Sequence, residues 1–154
     1  MPRIHRIVVP IDFSDYSKEA FRYAIEFAQT FNASIVLVYV VEPVVYPSDF
    51  SFGQIALPSM DQELRDHSLE QLQKMIQNDV PEGISASGAV RSGKPFVEII
   101  KLSKEIEADL IIIATHGHSG IEHVLFGSTA EKVVRKAPCP VLSIRSSDRT
   151  FVMP

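Results

Sequence analysis

Residues 109–115 read DLIIIAT and residues 34–41 read SIVLVYVV, and these two stretches decide the fold. Both are rich in Ile and Val, and both carry apolar side chains at neighbouring as well as alternating positions. A strand of this kind is buried on both faces, as in the centre of a parallel sheet covered by helices. A half-exposed antiparallel strand would alternate apolar with polar residues. The two stretches therefore predict a parallel sheet in an α/β protein.

The rest of the chain alternates similar apolar runs with amphipathic stretches. Strands are expected at residues 6–10, 34–41, 85–91, 109–115 and 141–145, with a helix after each of the first four. Ser14 is the expected N-cap of the first helix, the second begins near Ser59 behind Pro58, Pro95 opens the third and Ser128 caps the fourth. The order predicts one α/β domain: an open five-stranded parallel sheet, Rossmann-like, with helices on both faces. We expect this domain to span residues 1–146, followed by a tail at 147–154.

Composition excludes several other classes of protein. The 154 residues include 15 Lys and Arg and 19 Asp and Glu, so the net charge of −4 provides no basic surface for nucleic acid. The single cysteine, Cys139, has no partner in the chain for a disulfide. The longest apolar run, residues 35–41, is far shorter than the roughly 20 residues that span a bilayer. With no secretory leader pattern at the N-terminus, we expect a cytoplasmic protein that contacts no membrane.

Candidate ligand-binding residues follow the strands, because ligands of open α/β sheets bind outside the carboxyl ends of the strands. The first loop is residues 10–14, and the second runs from Ala114 through Gly120 to Thr129. Glycines let a backbone approach a ligand and adopt positive φ. Gly127, Ser128 and Thr129 directly precede the last helix, so their amides, the hydroxyls and the helix dipole would form an anion site. The alternative, that these glycines only turn the chain, remains open at this point.

Together these blocks resemble the universal stress protein family over nearly the whole chain. The nucleotide motif of that family, Gly-x2-Gly-x9-Gly followed by Ser or Thr, falls on Ala114, Gly117, Gly127 and Ser128. The blocks VPIDFS, LVYVVEP, DLIIIATHG and AEKVVRKAPCPVLSIR occur in the family's order. The resemblance implies the strand order 3-2-1-4-5, a homodimer formed through the C-terminal strand, and ATP as the bound adenine nucleotide.

The resemblance also implies a role for each residue of the site. Asp12 and its neighbours would line the adenine and ribose end, Val40 would pack on adenine, and the loop after the fourth strand would hold the ribose and phosphates. The full expected set is Pro10, Ile11, Asp12, Val40, Ala114, Thr115, His116, Gly117, His118, Gly127, Ser128 and Thr129. One departure is Ala114 in place of the first motif glycine. Alanine fits there if the backbone is ordinary β, and weakens binding if the site needs positive φ.

The sequence lacks the residues that several other kinds of binding and catalytic site require. A Walker A loop and a Gly-x-Gly-x-x-Gly sequence are absent, and residues 117–120 are one residue short of a nucleophile elbow. His116, His118 and His123 cluster in sequence, but we expect them to face solvent or nucleotide rather than to bind a metal. Any Mg²⁺ would sit on phosphate oxygens and water. With no catalytic residues, at most slow ATP hydrolysis is expected.

Two functions therefore remain. The first is a cytoplasmic, ATP-binding regulatory dimer of the stress response. The alternative, motivated by Ala114, is a nucleotide-independent interaction module that acts through its dimer surface. The sequence identifies no protein partner for either function.

Overall fold

The computed structural model describes residues 3–43, 57–117 and 126–145. Nine elements lie in these ranges: β1 (Arg6–Pro10), α1 (Asp15–Phe31), β2 (Ser34–Val41), α2 (Leu57–Asp79), β3 (Ala86–Ser92), α3 (Pro95–Glu105), β4 (Leu110–Ala114), α4 (Ser128–Lys136) and β5 (Val141–Ile144). The predicted boundary between domain and tail, after residue 146, falls outside the described residues and stays a prediction.

The strands form one parallel sheet in the order β3-β2-β1-β4-β5, which confirms the predicted fold and strand order. β1 lies in the middle, paired with β2 on one side, where Ile7 is opposite Ile35, and with β4 on the other, where Val8 is opposite Ile111. The strand order reverses between β1 and β4. Open α/β sheets bind their ligands at such a reversal point.

Two apolar clusters cover the two faces of the sheet, as the apolar strands predict. On one face, Ile7 and Ile112 pack with Phe21 of α1, and Leu72 of α2 joins the same cluster. On the other face, side chains of β1, β2 and β4 pack under α3 and α4; this cluster includes Val8, Val38, Ile99, Ile111 and Val133. The central strands are thus buried on both sides. None of the described helices is long and apolar enough to cross a membrane.

The helix starts agree with the sequence except at α4. The Ser14 hydroxyl accepts a hydrogen bond from the Ser17 amide at 3.2 Å, so Ser14 is the N-cap of α1 as predicted. α2 begins at Leu57, two residues before the expected start. The prediction that Ser128 caps α4 is wrong. Gly127 is the N-cap, with an extended backbone (φ −63°, ψ 152°), and Ser128 is already the first helical residue.

Asp109 connects the N-terminal end of the sheet, just before β4, to the chain ahead of β1. Its Oδ2 accepts hydrogen bonds from the His5 amide at 2.8 Å and the Arg6 amide at 3.0 Å. The His5 amide is the main cause, and the Arg6 amide a further one, of a carboxyl pKa below its ordinary value. The ionised form is therefore favoured in the folded protein.

We expect Asp109→Asn to lower the free energy of unfolding by about 1–2 kcal/mol at neutral pH, because two amides lose a charged acceptor. A lowered pKa in the folded state means that this contribution is present above the unfolded-state pKa and is lost as pH falls through the folded-state value. Urea unfolding of both proteins should give a constant difference above about pH 5 that shrinks in acid. A difference that grew on acidification would contradict this account.

Candidate functional site

A cleft of about 410 Å³ opens at the carboxyl ends of β1, β2 and β4, between the starts of α3 and α4. It is the size of an ordinary small-molecule site. Eleven of the twelve predicted site residues line it: Pro10, Ile11, Asp12, Val40, Ala114, Thr115, His116, Gly117, Gly127, Ser128 and Thr129. The twelfth, His118, lies outside the described residues. The structure thus brings together residues that are more than a hundred positions apart in the chain.

The cleft has an apolar side. Val38, Ile99 and Ile113 line it and are almost fully buried in the core cluster under α3 and α4. Val40 is half-buried, packs against the same cluster and extends this surface towards the end of β2. An apolar surface between two polar loops can hold a flat ring, such as a base, with its polar edge exposed to the loops.

Asp12 lines the cleft, and its carboxylate is hydrogen-bonded to the chain that follows. Oδ1 accepts hydrogen bonds from the Ser14 amide, at 2.9 Å, and from the Ser14 hydroxyl. Phe13, between them, has a positive φ of 64°, and its ring packs on Tyr39 with the centroids 5.0 Å apart. This tight turn carries the chain from β1 into α1 and keeps the carboxylate of Asp12 at the strand end.

Gly117 is required by space rather than by backbone conformation. A Cβ on Gly117 would lie 2.5 Å from Oδ2 of Asp12, closer than a carbon and an oxygen can approach. Among the described glycines, only Gly83 and Gly93 have positive φ, and neither lines the cleft, so the freedom of glycine to adopt positive φ is not used at Gly117 or Gly127. The backbone of Gly117 lies close to Asp12, whereas its approach to a ligand stays a prediction.

The start of α4 offers amide donors, but not the predicted set. The Gly127 amide donates to the Thr115 carbonyl at 2.6 Å, so it is already used. The amides of Ser128, Thr129 and Ala130 have no acceptor among the residues that the structure describes, as is normal for the first turn of a helix. The candidate anion site is therefore displaced by one residue along the chain and includes Ala130.

Thr115 and His116 hold the loop after β4 in place. The Thr115 amide donates to the Ile144 carbonyl at 3.0 Å, which extends the pairing of β4 with β5. The Thr115 hydroxyl lies 3.0 Å from Nδ1 of His116, and the His116 ring packs against Tyr16 with the centroids 5.7 Å apart. Within the described ranges, no three His, Cys, Asp or Glu side chains come together as a metal site; His118 and His123 lie outside those ranges.

Ala114 fits its position without strain. It is the last residue of β4, so its backbone is ordinary β, the condition under which an alanine can replace the first motif glycine. Its side chain packs against the core cluster on the face of the sheet covered by α1. The apolar side of the cleft belongs to the opposite face. We therefore see no steric cost to the cleft from this alanine.

Sequence reasoning missed eight lining residues: Ser17, Val38, Tyr39, Glu42, Pro95, Ile99, Ile113 and Ala130. Some could have been found from the pattern of the strands. Once Val40 is placed in the cleft, the period of two in a strand puts Val38 on the same face. Pro95 follows the end of β3, which lies at the same edge of the sheet. Ile99 is one turn further along α3.

Residues 3–145 match the Universal stress protein family. The chain belongs to this family. Over 143 residues it is 35% identical to the universal stress protein MJ0531 of Methanocaldococcus jannaschii, an alignment that covers 91% of this chain and 81% of the relative. The resemblance that the motifs indicated is thereby confirmed at the level of the family.

Solved structures of universal stress proteins share the fold. UspA from Lactobacillus plantarum is 29% identical with a TM-score of 0.73, and the match covers 93% of this chain and 99% of that one. A universal stress protein in complex with cAMP is 22% identical with a TM-score of 0.67, covering 94% and 99%. One from Archaeoglobus fulgidus in complex with dAMP is 22% identical with a TM-score of 0.57, again covering 94% and 99%.

Proposed function

We propose that this universal stress protein binds adenine nucleotides, ATP among them, in the cleft, and acts as a regulatory nucleotide-binding protein of the stress response. One observation carries the proposal: a single cleft joins an apolar surface, at Val38 and Val40, to the amides that begin α4. The apolar surface matches the base of a nucleotide, and the amides match its phosphate. Two structures of similar fold, those with cAMP and dAMP, contain adenine nucleotides.

The proposed protein is a binder rather than an efficient enzyme. Phosphoryl transfer is catalysed by positioned cations, such as a lysine or an arginine finger, and by a group that orients the nucleophile. No lysine or arginine is among the described residues that line the cleft. Asp12 could accept a proton, but its Oδ1 is engaged by Ser14. Any hydrolysis of ATP is therefore slow, and nucleotide occupancy itself is the regulatory state.

We further propose that the protein forms a homodimer through β5 and is located in the cytoplasm. β5 is the last strand of the sheet, so one of its edges has backbone groups that no described strand pairs. Val141 and Leu142 of this strand are half-buried. An unpaired strand edge favours pairing with a second chain. The protein partner of such a dimer is not identified by these features.

The alternative function is an interaction module that uses no nucleotide. Its main support was the alanine at the first motif position, and the position of the Ala114 side chain weakens that support. Because the alanine side chain packs against the core on the α1 face, Ala114→Gly should change nucleotide affinity by less than about twofold. Calorimetric titration of both proteins with Mg·ATP measures this. A tenfold gain in the glycine variant would show that the alanine obstructs the site.

The proposal is tested with Gly127→Val. A Cβ at Gly127 would lie 3.3 Å from the Thr115 carbonyl oxygen, so a branched side chain crowds the start of α4 at the anion site. The matched control is Ala137→Val at the other end of α4, where the backbone is almost the same (φ −62°, ψ 146°). Titration of nucleotide-free protein with Mg·ATP should show binding in the wild type and the control, and a loss of about tenfold or more in Gly127→Val. No binding to the wild type at millimolar ATP would remove the proposal.

A further inference from the structure

One turn at the edge of the cleft has a backbone conformation that its residue does not favour. Phe13, between β1 and α1, has a φ of 64°, in the left-handed region where the Cβ of an L-residue is crowded by the backbone. Glycine, asparagine and aspartate tolerate this region, whereas a bulky aromatic residue rarely adopts it. Such residues concentrate at ligand sites, where the surrounding structure supplies the free energy that the conformation costs.

The other described non-glycine residues with positive φ have an ordinary cause. Asn32 (φ 54°) and Glu107 (φ 52°) lie at the C-terminal ends of α1 and α3. A left-handed residue at such an end lets the amide that follows it bond back into the helix. After Glu107, the Ala108 amide donates to the Ser103 carbonyl at 2.8 Å. Phe13 stands before a helix, so this cause does not apply to it.

Hydrogen bonds fix the chain on both sides of Phe13. Before it, the Ile11 amide donates to the Val38 carbonyl at 2.8 Å, which continues the pairing of β1 with β2. After it, the Ser14 amide donates to Oδ1 of Asp12 at 2.9 Å, and Ser14 is the N-cap of α1. The left-handed residue closes the turn between these bonds. The turn thus determines where the Asp12 carboxylate lies in the cleft.

The ring of Phe13 holds the turn in this conformation. It packs on the ring of Tyr39 in β2, with the centroids 5.0 Å apart and the planes at 43°, and it also packs against the core cluster under α1. Tilted aromatic pairs at this distance attract each other beyond the effect of burial. An apolar residue at this place in the chain often packs on the fourth residue of the helix, which here is Lys18. The contact with Tyr39 instead offsets the cost of the left-handed backbone.

Phe13 does not line the cleft, whereas its neighbour Asp12 and its ring partner Tyr39 both do. We propose that Phe13 is a positioning residue of the site. Its left-handed backbone, held by the contact with Tyr39, places the Asp12 carboxylate where the ligand binds, and this placement raises the affinity for the nucleotide. This inference rests on the proposed function and assigns part of the affinity to a residue outside the cleft.

The test is calorimetric titration of nucleotide-free protein with AMP. Phe13→Ala removes the ring but keeps the cost of the left-handed backbone, so affinity should fall by about tenfold. Phe13→Gly also removes the ring, but glycine adopts positive φ freely, so this variant should bind AMP at least about threefold more tightly than Phe13→Ala. If Phe13 acted only as a packed side chain, glycine would be no better than alanine. That result, or wild-type affinity in Phe13→Ala, would overturn the proposal.

A double-mutant cycle tests whether the effect passes through Asp12. Asp12→Ala leaves no carboxylate to place, so in this background Phe13→Ala should cost less than about threefold in AMP affinity. An equal cost in both backgrounds would contradict the positioning of Asp12. The Phe13 ring is half-buried, so its removal should leave the protein folded, which circular dichroism verifies.

The matched control is a second left-handed residue, Glu107, at the other end of the sheet. Glu107→Gly should be more stable to urea than Glu107→Ala, yet both should bind AMP within about twofold of the wild type. A similar gain in AMP affinity from alanine to glycine at Glu107 would mean that the effect at Phe13 is one of general stability. If the wild type does not bind AMP, the proposed function itself fails. If it binds and the Phe13 variants do not differ, only this inference fails.

Discussion

Gly117→Ala should abolish most nucleotide binding while the protein remains folded. The added Cβ would lie 2.5 Å from Oδ2 of Asp12, so the Asp12 side chain, the loop after β4 or the turn after β1 must move. Both border the cleft. Overpacking of this kind costs about 1–3 kcal/mol, which corresponds to a loss of affinity of about five- to 150-fold when the strain falls on the binding conformation. Titration with Mg·ATP measures the loss, and circular dichroism verifies the fold.

A double-mutant cycle shows whether the clash with Asp12 is the cause. Asp12→Ala removes the carboxylate that a Cβ at Gly117 would meet. In the Asp12→Ala background, Gly117→Ala should therefore cost much less affinity than it does in the wild type, a coupling of at least about 1 kcal/mol. If the cost of Gly117→Ala is the same in both backgrounds, the glycine is needed for another reason.

Phe21→Ala should lower the free energy of unfolding by about 3–5 kcal/mol, the largest effect on stability that we expect from a single truncation. The Phe21 side chain is 1% exposed and packs in the cluster between α1 and the sheet, where its removal leaves a cavity. Domains are stable by only about 5–15 kcal/mol, so the variant should melt far earlier than the wild type. Chemical denaturation at low temperature measures the difference.

The matched control lies on the same helix. Tyr23 is also aromatic but is 46% exposed, so Tyr23→Ala should change stability by less than about 1 kcal/mol. Comparable losses in the two variants would mean that the outer surface of α1 is covered in solution, for instance by a second chain. A small loss in Phe21→Ala would contradict the described core.

The fold was predictable because strands that are buried on both faces have apolar residues at consecutive positions in the sequence. Residues 34–41 and 109–115 are apolar on both faces, as the central strands of a parallel sheet covered by helices require. The ends of elements were less certain, since a helix start depends on local backbone geometry. At α4, serine is a good capping residue, yet Gly127 takes the cap position, where its amide is bonded to the Thr115 carbonyl.

The site residues that belong to the sequence motif were predictable. The residues that reach the cleft only through the folding of distant segments were not. Gly117 and Gly127 were found from their spacing, but the reason for Gly117 is the distance to Asp12, a residue 105 positions away that no local pattern reveals. Likewise, Ile99 and Ile113 have the sequence character of ordinary core residues. They reach the cleft because both belong to the apolar cluster on the face of the sheet that the cleft adjoins.

The central claim is that one adenine nucleotide lies between the apolar surface at β2 and the start of α4. A crystal structure of the protein with AMP tests it most directly. We predict that the base packs against Val38 and Val40 and that the phosphate accepts hydrogen bonds from the amides of Ser128, Thr129 and Ala130. An empty cleft at saturating AMP, or a nucleotide bound elsewhere on the protein, would contradict the claim.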